Sequence, residues 1–189
     1  MTAEKILEKL NELNKSFYTV ADIVKISRQS PAVVKVALNR LVKRKKIVRL
    51  QKNVYVPAGK IPDYKLIAQQ LDLTSYISFE TALAQSNILS QLPYSLTLAT
   101  ARRSKKVKLG EQEIIYRKLK PNLIGDYSLV DGLRVASKEK ALIDSLYLVS
   151  RGKMSLPVDE LDMSSINKEK LKKLAKKYKL AKVIDGILP

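Results

Sequence analysis

The stretch that most constrains this chain is Ser30 to Val56, SPAVVKVALNRLVKRKKIVRLQKNVYV. Ser30 is a favourable helix N-cap, and Pro31 suits the first helical position, where its missing N–H costs nothing. From there Val34, Leu38, Leu41 and Val42 recur at helical spacing and form one apolar stripe. Lys35, Asn39, Arg40, Lys43 and Arg44 take the opposite face, with no acid among them. Ile47 to Leu50, a polar turn at Gln51-Lys52-Asn53, and Val54 to Val56 then read as a short β-hairpin. A basic helix is followed at once by a basic hairpin.

The residues before this stretch give it a context. Thr2 is placed to cap a first helix whose buried face is Ile6, Leu7, Leu10 and Leu13. Thr19 is placed to cap a short second helix from Val20 to Lys25, and Ser27-Arg28-Gln29 turns the chain into Ser30. Three helices with a tight turn before the third, then a hairpin, is the order of a winged helix-turn-helix.

Charge supports that order. The 189-residue chain carries a formal net charge of +18 and contains neither histidine nor cysteine. Residues 1–60 hold 14 basic and four acidic side chains, hence +10, and three of the acids lie on the first helix. None follows Asp22 in that stretch, so the basic excess is concentrated on the third helix and the hairpin. Concentrated positive charge is suited to a polyanion. The missing histidines and cysteines remove Ser-His triads, cysteine nucleophiles and nearly every zinc site, and no disulfide frame exists. Neither a catalytic set nor a cofactor motif emerges, so no enzyme activity, cofactor or metal is expected. No apolar run approaches the ~20 residues of a membrane span, which points to a cytoplasmic protein with no membrane partner.

The expected DNA-contacting set is therefore Arg28, Gln29, Ser30, Lys35, Asn39, Arg40, Lys43, Arg44, Lys45, Lys46, Arg49 and Lys52. Gln29, Ser30, Lys35 and Asn39 are best placed for base edges, since amides pair adenine and lysine meets guanine acceptors. Lys43 to Lys46 belong to phosphate, and Arg49 and Lys52 to phosphate or the minor groove.

Pro57 to Pro62, with two prolines and a glycine, marks a boundary. We expect a winged-helix domain over 1–58 and a second domain over 59–189, α+β overall. The second would hold a connecting helix at Asp63–Leu73 and a helix capped by Ser78. Strands are expected at Tyr94–Thr100, Val107–Leu109 and Glu113–Leu119, with weaker ones at Tyr127–Val130 and Leu133–Val135, in a small, mainly antiparallel sheet. Ser137 would cap a helix over Lys138–Val149, where Lys140 and Asp144 form an i,i+4 pair worth ~0.2–0.5 kcal/mol. A lysine-rich helix over 167–178 would dock through Leu171, Leu174, Ala175 and Tyr178.

Four blocks of this second domain carry a resemblance. Tyr76-Ile77-Ser78-Phe79-Glu80-Thr81-Ala82-Leu83, Leu96 to Thr100 with Arg102-Arg103, Ile115 to Leu119, and Ala136 to Asp144 are similar, in that order, to blocks of the AbiEi-type antitoxins. That family, of the abortive-infection (type IV) toxin–antitoxin class, also begins with a winged helix-turn-helix. Lys138 and Ser86-Asn87 depart from its pattern, where many members have Pro and His-Gly. The resemblance implies a transcriptional repressor that binds inverted repeats of double-stranded DNA in its own promoter. It also implies action against a nucleotidyltransferase-like toxin that needs no stable complex. The protein would be a monomer or dimer, or would pair on DNA. Two alternatives stay open: a stand-alone repressor with a sensing second domain, and a nuclease-like domain using Glu113 or Asp131.

Overall fold

A computed structural model describes residues 2–185 and shows a mixed α+β protein of two compact units. The first takes in the chain as far as Ile67 together with Lys108–Gln112, and the second holds Ala68–Val107 and the chain from Glu113 on.

In the first unit the order is α1 (Ala3–Leu13), β1 (Tyr18–Thr19), α2 (Val20–Ser27), α3 (Pro31–Lys43), β2 (Ile47–Gln51) and β3 (Val54–Pro57). Each helix begins on the capping residue expected: Thr2 accepts from the Lys5 N–H, Thr19 from the Asp22 N–H and Ser30 from the Val33 N–H. At α2 the cap is reciprocal, because Asp22 accepts from the Thr19 N–H at 2.8 Å. The second helix runs on to Ser27, two residues past the Lys25 expected, and ends on Arg28 in the left-handed region. The strand β1 has only two residues and leaves no sequence pattern, yet it extends the hairpin to a three-stranded sheet, order β1-β3-β2. Tyr18 pairs with Tyr55, and its buried ring sends its hydroxyl to the Leu10 carbonyl. Ile6, Leu10, Ile23, Val34, Leu38, Leu41 and Ile47 close the core between helices and sheet.

Helix α4 (Tyr64–Leu71) contains the break between units. The chain goes on with β4 (Tyr76–Ile77), α5 (Phe79–Gln85), β5 (Leu96–Thr100), β6 (Lys105–Leu109), β7 (Gln112–Lys118), β8 (Tyr127–Val130) and β9 (Leu133–Ala136), all of the second unit except Lys108–Gln112. The second unit ends with α6 (Lys138–Val149), α7 (Lys168–Lys177) and α8 (Ala181–Asp185). The sheet differs from the small, mainly antiparallel one expected. It has six strands in the order β6-β7-β5-β4-β9-β8, and β5–β7 and β4–β9 are parallel pairs. Parallel pairing joins segments far apart in sequence, which local strand signals do not report.

Helix α6 packs against α5, α7, α8 and β9, and its residues from Glu139 to Leu148 are buried on every side. Here the Lys140–Asp144 pair departs from its surface reading. Both side chains are fully buried and form an ion pair. The Lys140 ammonium also donates to the Tyr76 hydroxyl (2.9 Å) and the Leu123 carbonyl (2.8 Å). Asp144 accepts from Tyr76 and Ser78, each at 2.8 Å. Ser78 therefore stands at the α5 N-cap position, but its hydroxyl is spent on Asp144 and makes no cap bond. Burial pushes the Asp144 carboxyl up and the Lys140 ammonium down from their ordinary values, and the opposite charge of each partner works against that shift. With every donor and acceptor matched, the pair survives desolvation that would otherwise expel it.

Candidate nucleic-acid interface

The exposed side of α3 is set by its buried side. Val34, Ala37, Leu38 and Leu41 face the core, with Val42 partly covered, so Ala37 joins the expected stripe. At about 100° per residue, Ala32, Val36, Asn39 and Lys43 then run along the middle of the opposite face. Lys35 lies on one flank and Val33 and Arg40 on the other. All of these are exposed. No acid occurs on the helix.

Of the twelve residues expected to meet DNA, eleven are exposed and Gln29 is half-buried. They do not stand equally. Ser30 uses its hydroxyl oxygen to cap α3, leaving the hydroxyl proton to donate outward. Arg44 is drawn back to Glu4 on α1 in an ion pair. The Glu4 carboxyl is lowered from its ordinary value, first by its own backbone N–H and then by Arg44. Arg44 is thus already engaged, whereas none of Lys35, Arg40, Lys43, Lys45 and Lys46 forms an ion pair among the described residues.

A tight C-terminal turn aims the last cations. The Lys46 N–H returns to the Leu41 carbonyl and the Lys45 N–H to that of Val42, both at 2.9 Å. This is the Schellman pattern, and Lys45 takes the left-handed position (φ 55°) that glycine usually fills. The turn leads directly into β2, whose Ile47 to Arg49 pair in sequence with Pro57 to Tyr55 of β3. A register shift between Arg49 and Gln51 twists the hairpin end, and the Arg49 guanidinium donates to the Gln51 carbonyl at 3.3 Å. Lys52 and Asn53 form its tip, Asn53 with φ 67°. The Val20 N–H donates to the Asn53 carbonyl at 3.3 Å and ties the tip to the start of α2.

Two apolar side chains were missed by the sequence reading. Val33 and Val36 are 48% and 51% exposed on α3, and with Thr2, Ala3, Ala32, Ala37 and Arg40 they line a shallow hollow of about 370 Å³. Their signal in the sequence is that neither falls on the apolar stripe of the helix. Beside Asn39 they can contact a thymine methyl while the amide meets adenine. The surface combines hydrogen-bond donors, methyl groups and unopposed cations on a helix and adjoining hairpin.

The acids of the nuclease alternative stand in different settings. Glu113 accepts from the Ser95 hydroxyl at 2.6 Å, and Asp131 sits exposed in the β8–β9 turn. Among the described residues no three His, Cys, Asp or Glu side chains are grouped to hold a metal ion. No described helix is long and apolar enough to cross a membrane.

Comparison with known proteins adds a likeness of fold. No family model matches the chain, and no curated protein matches it. Among solved structures it is similar to the RV2827C protein from Mycobacterium tuberculosis, with a TM-score of 0.63 and 14% sequence identity. The match covers 97% of this chain and 76% of that one. The likeness is one of fold.

Proposed function

We propose that the first unit is a winged helix-turn-helix that binds double-stranded DNA in a sequence-dependent way, and that the protein is a cytoplasmic transcriptional repressor. The supporting observation is the α3 face, where Lys35, Asn39 and Lys43 stand exposed beside Val36 with no acid on the helix. Helix α3 enters the major groove, Asn39 and Lys35 read base edges, and Val36 meets thymine methyls. Lys43, Lys45 and Lys46 hold phosphates, and the hairpin carrying Arg49 and Lys52 follows the flanking backbone. Arg44 contributes less, because Glu4 competes for it.

For the second unit the ordered blocks from Tyr76 to Asp144 support an antitoxin role of the AbiEi type. In this reading the protein represses its own operon through inverted repeats and counters a nucleotidyltransferase-like toxin without a stable complex. Footprinting of the DNA upstream of the coding sequence tests the first part. Protected half-sites about 34 Å apart are expected, one helical turn, from paired recognition helices. Equal protection of unrelated DNA would reject sequence-dependent repression. Co-expression with an adjacent toxin-like reading frame tests the second part: restored growth supports it, and unrelieved toxicity rejects it.

A further inference from the structure

The second unit contains a basic hollow that the DNA reading does not use. It lies where the end of β7 meets the end of α6, encloses about 340 Å³, and is lined by Ser104, Arg117, Lys118, Leu119, Lys120, Tyr147, Leu148, Arg151 and Lys153. Five of these nine side chains are cations and none is an acid. Among the described residues Lys118, Lys120, Arg151 and Lys153 form no ion pair, and all four are exposed. Arg117 alone is neutralised, by a two-pronged pair with Glu80 whose second bond is 2.8 Å.

The floor is built differently from the rim. Leu119 and Leu148 are buried, and the Tyr147 ring lies under the Arg151 guanidinium at 5.7 Å. Arg117 is held in place twice, by Glu80 and over the ring of Phe79 at 5.2 Å. Phe79 itself is fully buried with φ 56°, a left-handed conformation that costs a bulky residue of order 1–3 kcal/mol. The Ser104 hydroxyl accepts the Lys118 backbone N–H at 2.9 Å, so its proton is free to point elsewhere. A fixed guanidinium and a ring of like charges around a space of ligand size are the marks of a binding pocket.

We propose that this hollow binds a phosphomonoester carried on a nucleoside. Lys118, Lys120 and Lys153 grip the phosphate, whose charge and several acceptor oxygens match clustered ammonium donors. The base lies against Tyr147, Leu119 and Leu148, beneath or beside Arg151. A carboxylate offers too little charge for this rim, and an uncharged nucleoside none. The same chemistry reaches the pocket from two sources, a free nucleotide or the phosphorylated end of a nucleic-acid strand. The inference is independent of how α3 acts.

Titration calorimetry on the full chain tests it, with AMP, GMP, the matching nucleosides, inorganic phosphate, and tetranucleotides with and without a 5′-phosphate. A nucleoside monophosphate or the 5′-phosphorylated tetranucleotide should bind, whichever is the source, while nucleosides and 5′-hydroxyl tetranucleotides should not. Lys118→Glu and Lys153→Glu, both at exposed positions, should each weaken binding at least about tenfold, the scale of one lost charge-assisted bond. Lys173→Glu on the wet face of α7, and the α3 variant Lys35→Ala/Asn39→Ala/Arg40→Ala, should bind as the parent does. The proposal is overturned if no phosphorylated probe binds at millimolar concentration. It is equally overturned if Lys173→Glu weakens binding as much as the rim variants, or if inorganic phosphate binds as tightly as the nucleotide.

Discussion

Helices α3 and α6 begin alike and end with opposite uses of charge. Each opens on a serine whose hydroxyl accepts an N–H three residues on, at 3.4 Å from Val33 and 3.3 Å from Lys140. Beyond the cap, α3 has cations without acids and keeps them in water, whereas α6 has Glu139, Lys140 and Asp144 and buries all three. Glu139 takes the Lys170 ammonium at 3.0 Å, and the buried Asp144 takes that of Lys140. Charge that is matched inside the fold stabilises it. Charge left unmatched along one exposed face is available to a partner. On a chain of net +18, the placement of cations is therefore more informative than their number.

The largest expected effect breaks the α6 side of this contrast. Lys140→Ala strands the Asp144 carboxylate among apolar neighbours and should cost about 3–5 kcal/mol in urea unfolding of the second unit. The double change Lys140→Met/Asp144→Leu removes both charges and should cost less than either Lys140→Met or Asp144→Leu alone. A double variant as damaged as the sum of the singles would show that packing, not the stranded charge, sets the cost.

A smaller effect is expected at the α2 cap. Thr19→Ala should destabilise the first unit by about 1 kcal/mol. Burial alone raises the Asp22 carboxyl, but the Thr19 hydroxyl and backbone N–H outweigh it and leave Asp22 below its ordinary value. A lowered folded value gives stability that is present above the ordinary carboxylate range and lost as pH falls through the folded value. Thr19→Ala should therefore also flatten the acid limb of the thermal midpoint against pH, and an unchanged limb would rule the cap out as its source.

The smallest effect divides charge from backbone at one residue. Lys45→Gly relieves a left-handed lysine and should raise stability by up to about 1 kcal/mol. In the proposed DNA complex it would also delete one phosphate contact, so the slope of log K against log salt for DNA should fall by ~0.9. A stability gain with no change in slope would place Lys45 outside the DNA surface.

The first unit was legible because its information is local. Caps at Thr2, Thr19 and Ser30, the Val34–Leu41 stripe and the polar turn before Val54 each fix structure within a few residues. The second unit was legible only in pieces: most of its strands and helices fall near their expected places, but their pairing does not follow from them. Parallel contact of Leu96–Thr100 with Ile114–Lys118 is a long-range choice. Two-residue β1 is too short to show a period, and α8 was not anticipated. The burial of Lys140 and Asp144 was hidden for a different reason, since an i,i+4 ion pair looks the same on a wet helix and a dry one. The basic hollow was hidden because Lys118 and Lys153 converge only when β7 meets α6. Arg44 shows the converse: it reads as a phosphate ligand until α1 brings Glu4 beside it.

The central claim is that the exposed face of α3 is the DNA reader. Its most direct test is the salt dependence of binding to the upstream DNA, for the parent and for Lys35→Ala/Asn39→Ala/Arg40→Ala. These exposed substitutions should leave the fold nearly untouched. The account predicts a steep parental slope, a much weaker and shallower one for the triple variant, and loss of preference for upstream over unrelated DNA. A triple variant that binds with the parent's affinity, slope and preference would contradict it.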